Sequence, residues 1–157
     1  MDLQLKWPND VLVDHAKVSG ILIESAPGPV GHPDNGPLLA IGIGINITAA
    51  PDNTPYPATC LMAHGVAVTP LELLTGLATA FQARTGMWDK GKGFGAIRDD
   101  WLARARGLGG PITVRLHDDV IEGEFVSLDA EGAREVRTGD TVRRVSAGDV
   151  FFPTTRS

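Results

Sequence analysis

The sequence predicts an α+β fold, in which a mixed sheet with packed helices is followed by a small β-barrel. Short segments rich in Val, Ile and Leu, separated by turn residues, occupy both ends of the 157-residue chain, a pattern typical of strands. Between them lie two segments whose apolar residues recur at helical spacing. A glycine cluster ending at Gly110 precedes Pro111 and marks a boundary. We therefore predict a first domain over 1–107 and a barrel domain over 108–157.

Four strands are predicted in the first half of the chain. Residues 3–7 alternate between apolar and polar side chains, whereas 11–13, 18–23 and 38–47 are rich in Val, Ile and Leu. Residues 26–37 are rich in proline and glycine and are predicted to form a loop.

Two helices and five short strands are predicted in the second half. Helical spacing indicates one helix beginning at Pro70, with Gly86 as its expected end, and a second helix over about 94–105. Short strands separated by turn residues are typical of a small barrel. They are predicted at 112–116, 120–127, 133–137, 141–145 and 149–152.

The composition limits the class of protein. A net charge of −5 at pH 7 argues against a chain whose main task is to bind nucleic-acid backbone. No apolar run approaches the ~18–20 residues that cross a bilayer, so no membrane partner is expected. The single cysteine, Cys60, cannot form an internal disulfide, which suits a reducing cytoplasm.

The polar turn between the second and third strands brings an acid and a base together. A tight turn with Asp14 opposite Lys17 places Asp10 opposite Ile21. Period-two alternation then puts Asp10, Asp14 and Lys17 on one face of the sheet. From the residues alone, Lys17 is either a ligand-binding cation or a solvated turn lysine. Asp10 is either functional or an Asx-turn residue.

Four other positions are open to interpretation. Strand alternation predicts that Lys6 is solvated. Gly20 and Gly44 lie inside strands, where glycine indicates a bulge, close packing or a ligand. Asn46 ends an apolar run and is either a turn residue or a polar group for a nucleotide. The four histidines lie far apart without ligand spacing, so no zinc site is expected.

Three blocks, taken together, resemble the biotin protein ligases, or biotin–[acetyl-CoA-carboxylase] ligases. They are Lys6–Asp10 with Lys17 seven residues after Asp10, then Gly20–Glu24, and then Gly42–Asn46. The resemblance implies the C-terminal part of the ligase catalytic domain, followed by an SH3-like C-terminal barrel domain. It also implies ATP-dependent activation of biotin to biotinyl-5'-AMP, with Mg²⁺ present. Transfer to a lysine of a biotin carboxyl carrier protein would follow, in the cytoplasm, and a homodimer is compatible with this family.

The resemblance also implies roles for individual residues. The catalytic pair is Lys17 and Asp10, and the biotin-binding set is Lys17, Gly20 and Ile21. The nucleotide-binding set is Lys6, Asn9, Asp10, Gly44 and Asn46. No residue is implied as a ligand of a protein-held metal.

The chain departs from the family pattern before the first block. The family carries a glycine- and arginine-rich loop upstream of that block, and only Met1–Leu5 precede it here. We therefore expect a chain truncated at its N-terminus, without a winged-helix segment. Two alternatives stay open: an inactive fragment that binds a carrier protein, and a relative that transfers lipoate or octanoate.

Overall fold

The computed structural model describes residues 1–28, 36–116 and 119–152. Most of the predicted loop at 26–37 and the last five residues of the predicted barrel domain lie outside this part of the chain. The chain forms two compact units. The first comprises 1–3 and 9–69, and the second comprises 4–8 and 70–157. Both helices thus belong to the same unit as the C-terminal strands, whereas the predicted boundary at 107/108 followed the helices.

The first unit is built on an antiparallel sheet with the strand order β1-β2-β3-β4. Its strands are β1 (Leu3–Lys6, of which only Leu3 belongs to this unit), β2 (Asp10–Val13), β3 (Ala16–Ala26) and β4 (Leu38–Ile45). The β2–β3 and β3–β4 pairings are antiparallel, where the sequence predicted a mixed sheet. A two-residue turn joins β2 to β3, and so short a connection permits only antiparallel pairing.

The predicted register of the β2–β3 hairpin is wrong. Asp10 pairs with Gly20 rather than with Ile21. The turn consists of Asp14 and His15, whose φ values of 46° and 70° are those of the left-handed conformation that two-residue hairpin turns require. The turn therefore begins one residue earlier than predicted, and a shift in register within the hairpin adjusts the pairing beyond it.

The second unit contains both α-helices, α1 (Pro70–Trp88) and α2 (Phe94–Leu102). Helix α1 begins at the predicted proline but continues through Gly86, the expected end. Glycine inside a helix costs only about 1 kcal/mol relative to alanine, so one glycine does not end a helix of this length.

Five antiparallel strands complete the second unit, in the order β8-β7-β6-β5-β9. They are β5 (Pro111–Arg115), β6 (Val120–Leu128), β7 (Arg134–Thr138), β8 (Thr141–Val145) and β9 (Asp149–Phe151). Their bounds agree with the sequence prediction to within one residue, and the α+β class is confirmed. No pairing of β8 with β9 is found in the described ranges, so a closed barrel stays a prediction. Val114, Phe125 and Val136, each 0% exposed, lie in the core of the second unit.

Candidate active site

In the first unit, an ion pair joins Lys17 on β3 to Asp10 on β2. Lys17 Nζ lies 2.5 Å from Asp10 Oδ1. The Asp10 side chain is only 10% exposed, whereas that of Lys17 is 38% exposed. The nearly buried carboxylate therefore fixes the direction of an ammonium group that solutes can reach. The prediction that these two side chains share a surface is confirmed.

Gly20 leaves the space that the Lys17 side chain occupies. A Cβ atom at Gly20 would lie 3.0 Å from Lys17 Nζ, 3.1 Å from its Cε and 3.5 Å from Asp10 Oδ1. A methyl group at this position would require the end of the Lys17 side chain to shift by a few tenths of an ångström. Close packing, one of the interpretations left open by the sequence, therefore explains this glycine.

The backbone of Lys17 is held by a segment from elsewhere in the first unit. Lys17 N donates to Pro57 O at 2.8 Å, and Thr59 N donates to Lys17 O at 2.9 Å. The Asn46 side-chain amide donates to Thr59 O at 2.9 Å. Asn46 therefore braces the segment that fixes Lys17, and its role toward a nucleotide remains a prediction.

Asn9 and Ile21 are joined by two hydrogen bonds. Ile21 N donates to Asn9 O at 2.9 Å, and Asn9 Nδ2 donates to Ile21 O at 2.5 Å.

Lys6, another predicted site residue, belongs to the other unit. The prediction that Lys6 is solvated is wrong, because it is 8% exposed and engaged with a partner, as a buried charge must be.

Two concave surfaces meet at Lys17, Gly20 and Gly44, which line both. The first, of about 530 Å³, extends along β3 and β4 to the proline-rich loop at 51–58. Its other lining residues are Val18, Ser19, Ile45, Asn46, Pro51, Thr54, Pro55, Tyr56 and Ala58. The second, of about 500 Å³, extends in the opposite direction along the strands. Its other lining residues are Asn9, Ile21, Leu22, Gly42 and Ile43.

Both volumes are in the range of small-molecule sites, and the Lys17 ammonium stands where they meet. Such an arrangement can hold two anionic ligands side by side and neutralise the charge between them. Sequence reasoning missed Thr54 and Tyr56, which lie in a segment rich in proline. Within the described ranges, no group of three or more His, Cys, Asp or Glu side chains could hold a metal ion. Among the helices described, none combines the length and the apolar character needed to cross a membrane.

Two family models match the chain at its two ends. The model of the "Biotin/lipoate A/B protein ligase family" matches residues 1–46, and that of the "Biotin protein ligase C terminal domain" matches residues 107–152. Both ends of the chain are thus similar to biotin protein ligases. The second match begins one residue before the predicted barrel domain at 108–157.

Known ligases resemble the chain over nearly its whole length. The biotin–[acetyl-CoA-carboxylase] ligase of Paracoccus denitrificans is 40% identical over 157 residues, which cover 96% of this chain and 63% of that protein. A biotin protein ligase from Aquifex aeolicus in complex with biotin and ATP gives a TM-score of 0.76 at 24% identity, covering 96% of this chain and 62% of that chain. This second likeness shows the fold alone.

A third ligase was solved with the intermediate that the resemblance implies. The biotin protein ligase from Leishmania major, in complex with biotinyl-5-AMP, gives a TM-score of 0.56 at 27% identity, covering 93% of this chain and 57% of that chain. The chain thus spans less than two thirds of the length of each of these ligases.

Proposed function

We propose that this chain serves ATP-dependent biotinylation, activating biotin to biotinyl-5'-AMP and transferring biotin to a lysine of a biotin carboxyl carrier protein. The observation that carries the proposal is the Lys17 ammonium, fixed by Asp10 where two ligand-sized concave surfaces meet. The similarity to the Paracoccus denitrificans ligase supports the choice of biotin and of a carboxylase-linked carrier. A cytoplasmic location and a homodimer remain expectations.

The first step joins two anions, so a positive charge is needed between them. The biotin carboxylate attacks the α-phosphate of ATP, a mixed anhydride forms, and pyrophosphate leaves. Lys17 Nζ would contact the carboxylate and the phosphate oxygens, where charge accumulates in the transition state. Gly20 and Ile21 would contact biotin, and Asn9, Gly44 and Asn46 would contact the nucleotide. The role of Lys6 as a supporting cation for the nucleotide is also a proposal.

The second step breaks the mixed anhydride. The amine of the carrier lysine attacks the biotinyl carbonyl carbon, an amide bond forms, and AMP leaves with the electron pair of the broken bond. A cation beside the phosphate stabilises that leaving group, so the same Lys17 ammonium would serve both steps. Asp10 would keep the ammonium in place and orient the incoming amine.

Magnesium ions accompany ATP, but the described residues do not form a site that would hold one. The Asp10 carboxylate is engaged with Lys17 at 2.5 Å, and no cluster of metal-binding side chains is present in the described ranges. Mg²⁺ is commonly held by substrate phosphates with one or two carboxylates. We assign no step of the reaction to a protein-held magnesium ion.

The test is a biotin-dependent adenylate assay with α-labelled ATP, followed by transfer to a carrier domain. It is run on this chain and on a fusion with the part of the Paracoccus denitrificans ligase that the chain does not match. We expect Lys17→Ala to reduce adenylate formation by at least about 10²-fold, as for loss of one charge-stabilising donor. The matched control is Lys92→Ala, since the Lys92 side chain is 81% exposed.

The outcomes separate the proposed activity from its alternatives. Equal rates in the Lys17 and Lys92 variants would remove Lys17 from the mechanism. Lipoate in place of biotin tests the other branch that the first matching family model names, and faster adenylation of lipoate would overturn the choice of substrate. Carrier binding without adenylate from either protein would favour a carrier-binding module.

A further inference from the structure

Three side chains of the first unit form a continuous chain of contacts outside both concave surfaces. His64 Nε2 lies 2.8 Å from Thr59 Oγ1, and His64 Nδ1 lies 3.2 Å from Asp14 Oδ2. An ionised carboxylate only accepts hydrogen bonds, so Nδ1 carries the proton and donates to Asp14. The Thr59 hydroxyl rotates freely, and it can pair with Nε2 whether the imidazole is neutral or charged.

This chain of contacts closes a ring through Lys17. Thr59 N donates to Lys17 O at 2.9 Å, and the hairpin turn connects Lys17 back to Asp14. Every member of the ring therefore lies within one hydrogen bond, or one short stretch of backbone, of the next. The ring ties the segment containing Thr59 and His64 to both ends of the turn that presents Lys17.

We infer that Asp14, His64 and Thr59 are positioning residues that fix the backbone of Lys17 for the reaction proposed above. This inference rests on the proposed function for its catalytic part and on the ring geometry for its structural part. None of the three residues lines either concave surface, so their effect would reach ligands through Lys17. Outer partners of this kind are worth about 10–100-fold in activity at metal sites, and we expect the same scale here.

The order hydroxyl, imidazole, carboxylate is also found at nucleophilic centres. Such a centre needs a place for a substrate carbonyl beside the hydroxyl. Thr59 is partly buried, and neither concave surface includes it. Because its hydroxyl lies outside both of these concave surfaces, positioning is the role that the geometry favours.

The test combines two readouts, amide hydrogen exchange at Lys17 and Thr59, and steady-state kinetics of adenylate formation. Thr59→Val removes the hydroxyl but keeps the side-chain shape, and we expect exchange at both amides to accelerate at least about tenfold. We expect kcat to fall about 10–100-fold while KM for biotin changes less than about threefold, because uniform binding is left intact. Thr59→Ser restores the hydroxyl and should restore both readouts.

A second pair of variants tests whether the contacts act as a ring. His64→Leu should accelerate exchange to the same extent as Thr59→Val, and the double variant should exchange no faster than either, since the ring is already open. Thr79→Val, in which an exposed hydroxyl of α1 is lost, is the matched control and should change nothing. Any of three results would overturn the inference. They are unaltered exchange in Thr59→Val, exchange in the double variant faster than in either single variant, and failure of Thr59→Ser to restore protection. Absence of adenylate from the unmodified chain and the fusion would refute only the proposed function, because exchange is measured without substrates.

Discussion

Replacing Arg134 with methionine is expected to stabilise the protein. Arg134 is 0% exposed, and its three guanidinium nitrogens have no hydrogen-bond partner in the described ranges. Burial lowers the pKa of Arg134 to about 10, and at 1.36 kcal/mol per pKa unit this costs the charged form about 3 kcal/mol. The guanidinium carbon lies 4.1 Å from the Phe125 ring centroid and 5.2 Å from that of Trp7. These cation–π contacts return about 1–2 kcal/mol.

The desolvation cost of the charge exceeds the gain from the ring contacts. Arg134→Met is therefore expected to raise the free energy of unfolding by about 1–2 kcal/mol, since methionine fills irregular space without a charge. Urea unfolding, followed by tryptophan fluorescence at pH 7, measures the change at constant m-value. Arg144→Met is the control. Arg144 is exposed and pairs with Asp129 and Glu131, so its loss should cost at most about 1 kcal/mol.

A lower urea midpoint for Arg134→Met than for the unmodified protein would refute the reasoning, because the ring contacts would then outweigh the desolvation of the charge. A second check uses pH. The folded-state pKa of Arg134 is depressed, so the desolvation penalty is fully present below about pH 10 and is relieved as the pH rises from there toward the ordinary pKa of arginine. The advantage of the methionine variant should therefore shrink in that range.

Two further predictions concern the ion pair and the acid stability. Gly20→Ala should displace the Lys17 ammonium and reduce adenylate formation at least about tenfold. The control is Gly76→Ala in α1, where a Cβ atom meets open space and the rate should not change. Equal activities of the two variants would contradict the explanation given for Gly20. The pKa of Asp129 lies below its ordinary value of 3.8, mainly through the hydrogen bond from Arg144, so the stability it provides is present above pH 3.8 and is lost as the pH falls through the folded-state pKa. The urea midpoint of the unmodified protein should fall more steeply below pH 3.8 than that of Asp129→Asn, and parallel curves would exclude Asp129 from the acid response.

Local chemistry explains what could be predicted from the sequence. The C-terminal strands were found within one residue because turn residues separate them, such as Gly132, whose φ of 83° suits a glycine. The shared surface of Asp10 and Lys17 was predictable because the two residues flank one short turn. The register between them was not, since a bulge in a hairpin leaves no signature in the alternation of side chains.

Contacts between distant segments account for most of what the sequence missed. Thr59 lies more than forty residues from Lys17 along the chain, and no spacing rule links them. The same holds for the contact between His64 and Asp14 and for the loop at 51–58 that lines the first concave surface. Strand alternation failed for Lys6 because burial depends on what covers a face, which alternation alone does not specify.

Gly20 and Gly44 pair directly across β3 and β4, and their different surroundings separate two explanations that the sequence left equal. Glycine inside a strand costs about 0.5–1 kcal/mol relative to alanine, so each position needs a reason. The Lys17 side chain fills the space beside Gly20, which packing therefore explains. A Cβ atom on Gly44 would meet nothing within 4 Å, so packing within the protein does not require glycine there. Gly44 lines both concave surfaces, so the open space beside it is compatible with the nucleotide contact proposed above.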